Sequence, residues 1–178
     1  NPKVPYLASR LIHEMFGPHG APDDLITMHI RHGDKAGENP LVKIDQFVES
    51  AWVMIRKHRI QNPTIFILTD NIKAVDLFAS AAPANWKITY DPTICSKLYT
   101  SNRDENGQAA QNVQRFHGAP GLAQMVTLLI ALEAKYFLLT MASNWSRLIE
   151  ELRLRLIEGN CKNGDMCSDV EYLGGYSA

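Results

Sequence analysis

The run Leu25-Ile26-Thr27-Met28-His29-Ile30 gives way without transition to Arg31-His32-Gly33-Asp34-Lys35. A short, mostly apolar, β-rich run of this kind suits a strand buried on both faces, the place of a central strand in a parallel sheet. The same change recurs where Thr64-Ile65-Phe66-Ile67-Leu68-Thr69 ends at Asp70-Asn71, and where Lys135-Tyr136-Phe137-Leu138-Leu139-Thr140 leads into Ala142-Ser143-Asn144. Trp86 to Tyr90 reads as a further strand. Helical spacing fills the intervals: Leu7, Leu11, Ile12, Met15 and Phe16 before Gly17-Pro18; Phe47, Ala51, Met54 and Ile55 within Lys43 to His58; Val75, Leu77 and Phe78; Leu122 to Ala134; and Trp145 to Leu156 behind Ser143 as N-cap. Strands alternating with helices predict an α/β fold, a doubly wound, mostly parallel Rossmann-like sheet. The polar stretch from Ser101 to Gln111 reads as a long functional or mobile loop.

Ligands of such sheets sit beyond the carboxyl ends of the strands. Arg31 to Lys35, Asp70-Asn71 and Ala142-Ser143-Asn144 all fall there, so they are expected to share one pocket. Arg31 offers planar, bidentate donors suited to phosphate, and Lys35 is a second cation. Gly33 permits a tight turn, and Asp34 is placed to orient either cation. Ser143 opens a helix, where a hydroxyl and adjoining N–H groups suit an anion; an ordinary N-cap is the alternative. Asp70 either caps the next helix or meets a sugar hydroxyl. His29 is a strand residue, either structural or at the pocket rim. No Walker loop, GxGxxG turn or metal-ligand cluster is present in the sequence.

A chain of 178 residues with 46% hydrophobic content suits one domain, residues 1–178. The net charge of -1 argues against a nucleic-acid surface spread over the whole domain and leaves room for a local basic pocket. Beginning at Asn1, the chain is expected to be a piece of a longer polypeptide. Cys161 and Cys167 flank a turn-prone segment suited to a small disulfide loop, with free thiols as the alternative.

Arg31-His32-Gly33 resembles the motif that histidine phosphatases and phosphoglycerate mutases place after their first strand. That resemblance implies phosphomonoester chemistry, with His32 as nucleophile and Arg31 holding the phosphate. It is three residues long, and the second histidine it requires has only His117, behind a polar prelude, as candidate.

A longer resemblance is to the donor-binding half of α-1,6-fucosyltransferases and the related rhizobial nodulation fucosyltransferases. Their motif His-x-Arg-Arg-x-Asp-Lys is matched by His29-Ile30-Arg31-His32-Gly33-Asp34-Lys35 in all but the second Arg. In order along the chain follow Glu38, then Phe66-Ile67-Leu68-Thr69-Asp70-Asn71 against a strand ending in Thr-Asp-Asp. Asn102-Arg103 and Glu105-Asn106 are similar to a loop before the long helix. Thr140-Met141-Ala142-Ser143-Asn144-Trp145-Ser146-Arg147 resembles Thr-Phe-Ser-Ser-Gln-x-x-Arg, and Asp169 to Gly175 resembles an acidic-aromatic stretch ending in Gly-Gly.

The resemblance implies the C-terminal, nucleotide-sugar-binding half of a two-domain (GT-B type) glycosyltransferase, with the missing N-terminal half of the same polypeptide as its partner. It places Arg31 and Ser143, followed by Asn144, at the donor pyrophosphate and His29 beside the guanine. Asp34, Lys35, Glu38 and Asp70 fall in the catalytic or acceptor-facing network. The implied activity is inverting fucosyl transfer from GDP-fucose, or from another nucleotide sugar, to a glycan acceptor, without metal or cofactor. Cationic side chains and backbone donors would then stabilise the leaving diphosphate. Three positions depart from the family: His32 stands for the second Arg, Thr127 for an Asp that would read the guanine edge, and Phe47 for a Tyr. A degenerate, non-catalytic binding domain is the third reading. Families of this type work in the secretory lumen or, in bacteria, in the cytoplasm. Asn144-Trp145-Ser146 is formally a glycosylation sequon, expected to be unmodified because a glycan there would obstruct the pocket.

Overall fold

Along β1 (Ile26–Ile30) every residue is buried, so successive side chains feed two separate cores on opposite faces of one sheet. The computed structural model describes residues 3–32, 41–69, 71–92, 119–161 and 167–174. Before β1 lies α1 (Lys3–Phe16); after it come α2 (Ile44–His58), β2 (Thr64–Thr69), α3 (Ile72–Ala81) and β3 (Lys87–Tyr90). The described chain continues with α4 (Ala119–Ala131), β4 (Tyr136–Thr140), α5 (Asn144–Leu156), a 3-10 turn (Glu158–Asn160) and β5 (Asp169–Leu173).

The five strands form one sheet in the order β3-β2-β1-β4-β5. All neighbouring pairs are parallel. Ile26, Met28 and Ile30 of β1 join Ile65, Ile67 and Leu138 in the core under α2 and α3, with Phe47, Met54 and Phe78. Phe66, Leu68, Phe137 and Leu139 point the other way, into a second core built with Ile12 of α1, Ile130 of α4 and Ile149 of α5. Each fully buried phenylalanine here is worth roughly 1.5–3 kcal/mol of transfer free energy. Phe47 is one of them, 0% exposed, so its ring sits where a phenol hydroxyl would need a partner.

The doubly wound α/β reading from sequence holds. Four strands fall within a residue of their expected bounds, and β5 adds a fifth that hydrophobic patterning did not disclose. Asp169-Val170-Glu171-Tyr172-Leu173 is an edge strand of which only Leu173 is buried, so its sequence carries neither the apolar run nor the strict alternation of an inner strand.

Polar ties hold that edge. Asp169 Oδ2 accepts from Lys57 Nζ at 2.6 Å and from His58 Nε2 at 2.7 Å, both at the basic end of α2. Burial alone would raise the Asp169 carboxyl, but the bonds from Lys57 and His58 outweigh it and leave the pKa low. Arg153, 2% exposed, donates to both Glu150 oxygens at 2.7 and 2.8 Å and to Glu158 Oε1 at 3.0 Å. It also reaches Ser168 Oγ at 2.7 Å, which bonds Glu158 in turn. Cys161 and Cys167, six residues apart, are joined in a disulfide beside this network. The C-terminal end of α5 is thereby fixed to the start of β5, and its N-terminal end lies just beyond the carboxyl end of β4. No helix among the described residues is long and apolar enough to cross a membrane.

Candidate functional site

The strand order reverses between β1 and β4: β2 and β3 build outward on one side, β5 on the other. At this point the sheet opens. β1 pairs with β2 as far as Ile30 and Thr69, and β4 with β5 as far as Thr140 and Leu173. Between themselves β1 and β4 pair only as far as Met28 and Leu138. The crevice beyond is the place where open α/β sheets receive ligands.

Polar side chains line its floor. The Thr140 hydroxyl donates to the His29 carbonyl at 2.7 Å, replacing the lost ladder. Ser146, on the first turn of α5, accepts from the Thr140 N–H at 3.1 Å, and its Oγ lies 2.7 Å from His29 Nδ1. His29, Thr140, Ser143 and Ser146 are all buried. Desolvation, with the nearby positive charge of Arg31 second, lowers the His29 pKa to about 3, so the ring is neutral at physiological pH. His29, read from sequence as either structural or at the pocket rim, is therefore a buried, uncharged group bonded to Ser146 beside the crevice.

Ser143 caps α5. Its Oγ accepts from the Trp145 N–H at 3.3 Å, and its own N–H bonds the Thr140 carbonyl at 3.1 Å. This is the ordinary N-cap, placed at the strand end where the α5 N-terminus faces the crevice. Asn144 follows as an exposed first helical residue, its Oδ1 3.4 Å from Arg147 Nη1.

Arg31 leaves β1 half-buried, next to the crevice. His32 is engaged structurally, since its Nε2 donates to the Val42 carbonyl at 2.8 Å and ties the exit of β1 to the approach of α2. The Nε2 nitrogen that carries this proton is not a nucleophile, which leaves Nδ1 as the ring's bare nitrogen. Asn71 makes the next tie, donating from Nδ2 to the His32 carbonyl at 3.3 Å while its Oδ1 caps α3 by accepting the Lys73 N–H at 3.0 Å. Asp34, Lys35, Glu38, Asp70 and His117, all singled out from sequence, lie outside the described residues, as does the stretch from Ser101 to Gln111.

Thr127, on α4, is buried with its hydroxyl 3.0 Å from Asp91 Oδ2 and 2.8 Å from the Ala123 carbonyl. Asp91 directly follows β3 and is 3% exposed. A carboxylate thus stands beside Thr127, supplied by a strand end rather than by the helix. Sequence reasoning passed over Asp91, although an acid immediately after a strand is the signal that drew attention to Asp70. Among the described residues no group of His, Cys, Asp and Glu is arranged to hold a metal ion.

No protein-family model matches the sequence, and no curated protein matches it. Among solved structures, POFUT1 in complex with GDP is similar over 97% of this chain and 46% of its own, at 11% identity and a TM-score of 0.54. The NodZ α-1,6-fucosyltransferase co-crystallised with GDP matches 84% of this chain and 41% of its own, at 14% identity and a TM-score of 0.49. A structure of fucosyltransferase NodZ from Bradyrhizobium gives a TM-score of 0.47 at the same identity. The chain therefore spans under half the length of these proteins, and what it shares with POFUT1 is the fold.

Proposed function

We propose that this chain is the nucleotide-sugar-binding half of a glycosyltransferase-like enzyme, with GDP-fucose as donor. The observation that carries the reading is the opened β1–β4 crevice, with a buried neutral histidine on its floor, the α5 N-terminus at one wall and Arg31 at its mouth. POFUT1, which shares the fold, is described in complex with GDP. In the proposed complex the diphosphate lies between Arg31 and the α5 N-terminus at Ser143 and Asn144, where a guanidinium and backbone donors meet anionic oxygens. The base lies over His29, and Asp91 beside Thr127 supplies the carboxylate on the α4 side. Asp34, Lys35, Glu38 and Asp70 belong to the catalytic or acceptor-facing network.

Transfer is metal-independent and inverting. Charge developing on the departing GDP is stabilised by Arg31, Lys35 and the helix N-terminus. A carboxylate, Glu38 or Asp34, accepts the proton of the acceptor hydroxyl. The glycan acceptor docks between this domain and the N-terminal half of the same polypeptide, so the isolated chain binds donor weakly and transfers little or nothing. The Cys161–Cys167 disulfide fits folding in an oxidising compartment such as the secretory lumen.

Titration calorimetry with GDP, GDP-fucose and UDP-sugars tests the reading. GDP and GDP-fucose are expected to bind in preference to UDP-sugars, and Arg31→Ala to weaken them at least about tenfold, the scale of one charge-assisted bond to phosphate. Absence of binding by every nucleotide, or an unchanged affinity in Arg31→Ala, sinks it.

A further inference from the structure

His29 and Ser146 share a hydrogen bond whose direction follows from counting donors. Ser146 Oγ has one proton and two lone pairs to place. The Thr140 N–H, which can only donate, occupies one lone pair at 3.1 Å. His29 Nδ1, at 2.7 Å, takes either the remaining lone pair or the hydroxyl proton. In the first case Nδ1 carries hydrogen and the Ser146 hydroxyl proton has no acceptor among the described residues, although Ser146 is 2% exposed. A buried hydroxyl proton without a partner carries the full desolvation penalty of that group. In the second case both atoms of the contact are satisfied: Thr140 N–H donates to Ser146 Oγ, and Ser146 O–H donates to Nδ1. The proton of the neutral imidazole then sits on Nε2.

We infer that Ser146 is a positioning residue that fixes His29 as the Nε2–H tautomer and makes its ring an obligate hydrogen-bond donor to the base of a bound nucleotide. The Nε2–H has no acceptor among the described residues, and His29 is 5% exposed at the floor of the crevice. A ring locked this way accepts nothing. It favours a base that presents a carbonyl oxygen or bare ring nitrogen at that point, and disfavours one that presents an amino group there. Burial, which keeps the imidazole uncharged, maintains this single donor state across the neutral pH range.

The inference rests on the nucleotide reading of the crevice, and the two are separable by experiment. Long-range proton–nitrogen NMR of the nucleotide-free chain reads the tautomer directly. The expected result is a His29 ring bare at Nδ1 and protonated at Nε2 at neutral pH, with Ser146→Ala giving a mixed or reversed tautomer and Ser146→Thr restoring the original. Protonated Nδ1 in the unsubstituted chain overturns the inference without need of any variant, and so does an unchanged single tautomer in Ser146→Ala. GDP affinity is then measured on the same proteins. A loss of about fivefold to twentyfold in Ser146→Ala, recovered in Ser146→Thr, supports the donor role. Equal affinity in Ser146→Ala and the unsubstituted chain overturns that role even with the tautomer as expected. Failure of GDP to bind the unsubstituted chain, with the Nε2–H tautomer present, refutes the nucleotide reading and the ligand half of the inference with it.

Discussion

The Thr140 hydroxyl donates to the His29 carbonyl at 2.7 Å across the gap where β1 and β4 cease to pair. One side chain does there what backbone pairing does elsewhere in the sheet, and it leaves the crevice open while satisfying a buried acceptor. Thr140→Val keeps the shape and removes the donor. The cost is expected to be about 1–3 kcal/mol, the penalty for an unsatisfied buried carbonyl. Urea unfolding checks this, and a change below about 0.5 kcal/mol shows that water reaches the carbonyl instead.

Acid sensitivity follows from His29. Its pKa falls from 6.5 to about 3 on folding, so between these values the unfolded chain takes up a proton that the folded chain refuses. Stability carried by the neutral ring is complete above pH 6.5 and declines as the pH falls, at most by about 1.4 kcal/mol per pH unit. His29→Gln removes this slope. Denaturant midpoints of both proteins at pH 7, 5.5 and 4.5 are expected to diverge, the unsubstituted chain losing more. Parallel decline in the two proteins would show that His29 titrates near its ordinary value.

Arg153 holds two carboxylates in one buried network, and removing it strands both. Glu150 lies below the ordinary carboxylate range chiefly through its bond from Arg153. For Glu158 burial acts upward but is outweighed by Ser168, two backbone N–H groups and Arg153. Arg153→Ala is expected to cost roughly 3 kcal/mol, the lower end for a broken buried ion pair because both acids keep partial contact with water. Calorimetric melting gives the answer. The double substitution of Glu150 and Glu158 by Gln alongside Arg153→Met is expected to recover part of the loss, and no recovery would assign it to packing.

The sheet was legible because its inner strands are buried on both faces, which writes burial directly into composition at 64–69 and 135–140. β5 was not, since an edge strand held by Asp169, Arg153 and a disulfide needs little apolar surface of its own. The strand-end rule pointed to Arg31 and Ser143, which follow the neighbouring strands β1 and β4, while His29 was read as a strand residue, either structural or at the pocket rim. It gave no sign of Ser146, because a serine inside a helix acquires meaning only from the strand it meets, and here that strand lies 117 positions earlier. Asp91 shows the opposite case, a residue whose position after β3 carried the signal and whose partner Thr127 was noticed alone.

Gly174, directly after β5, carries a constraint of two separable parts. Its φ of +69° lies in the left-handed region, and a Cβ built there would stand 2.5 Å from Val42 Cγ2. Val42 is the residue whose carbonyl accepts from His32, so strain at Gly174 reaches the tie at the exit of β1. Gly174→Ala is expected to destabilise by about 1–2 kcal/mol through backbone strain alone, with the steric contact adding to it. Val42→Ala clears the contact but leaves φ unchanged. In a double-mutant cycle the two substitutions together should therefore cost less than the sum of each alone, by about 1 kcal/mol, the range found for residues in contact. Strict additivity in urea unfolding would mean that β5 ends without pressing on Val42, and that the close approach of these two segments is not a feature of the folded chain.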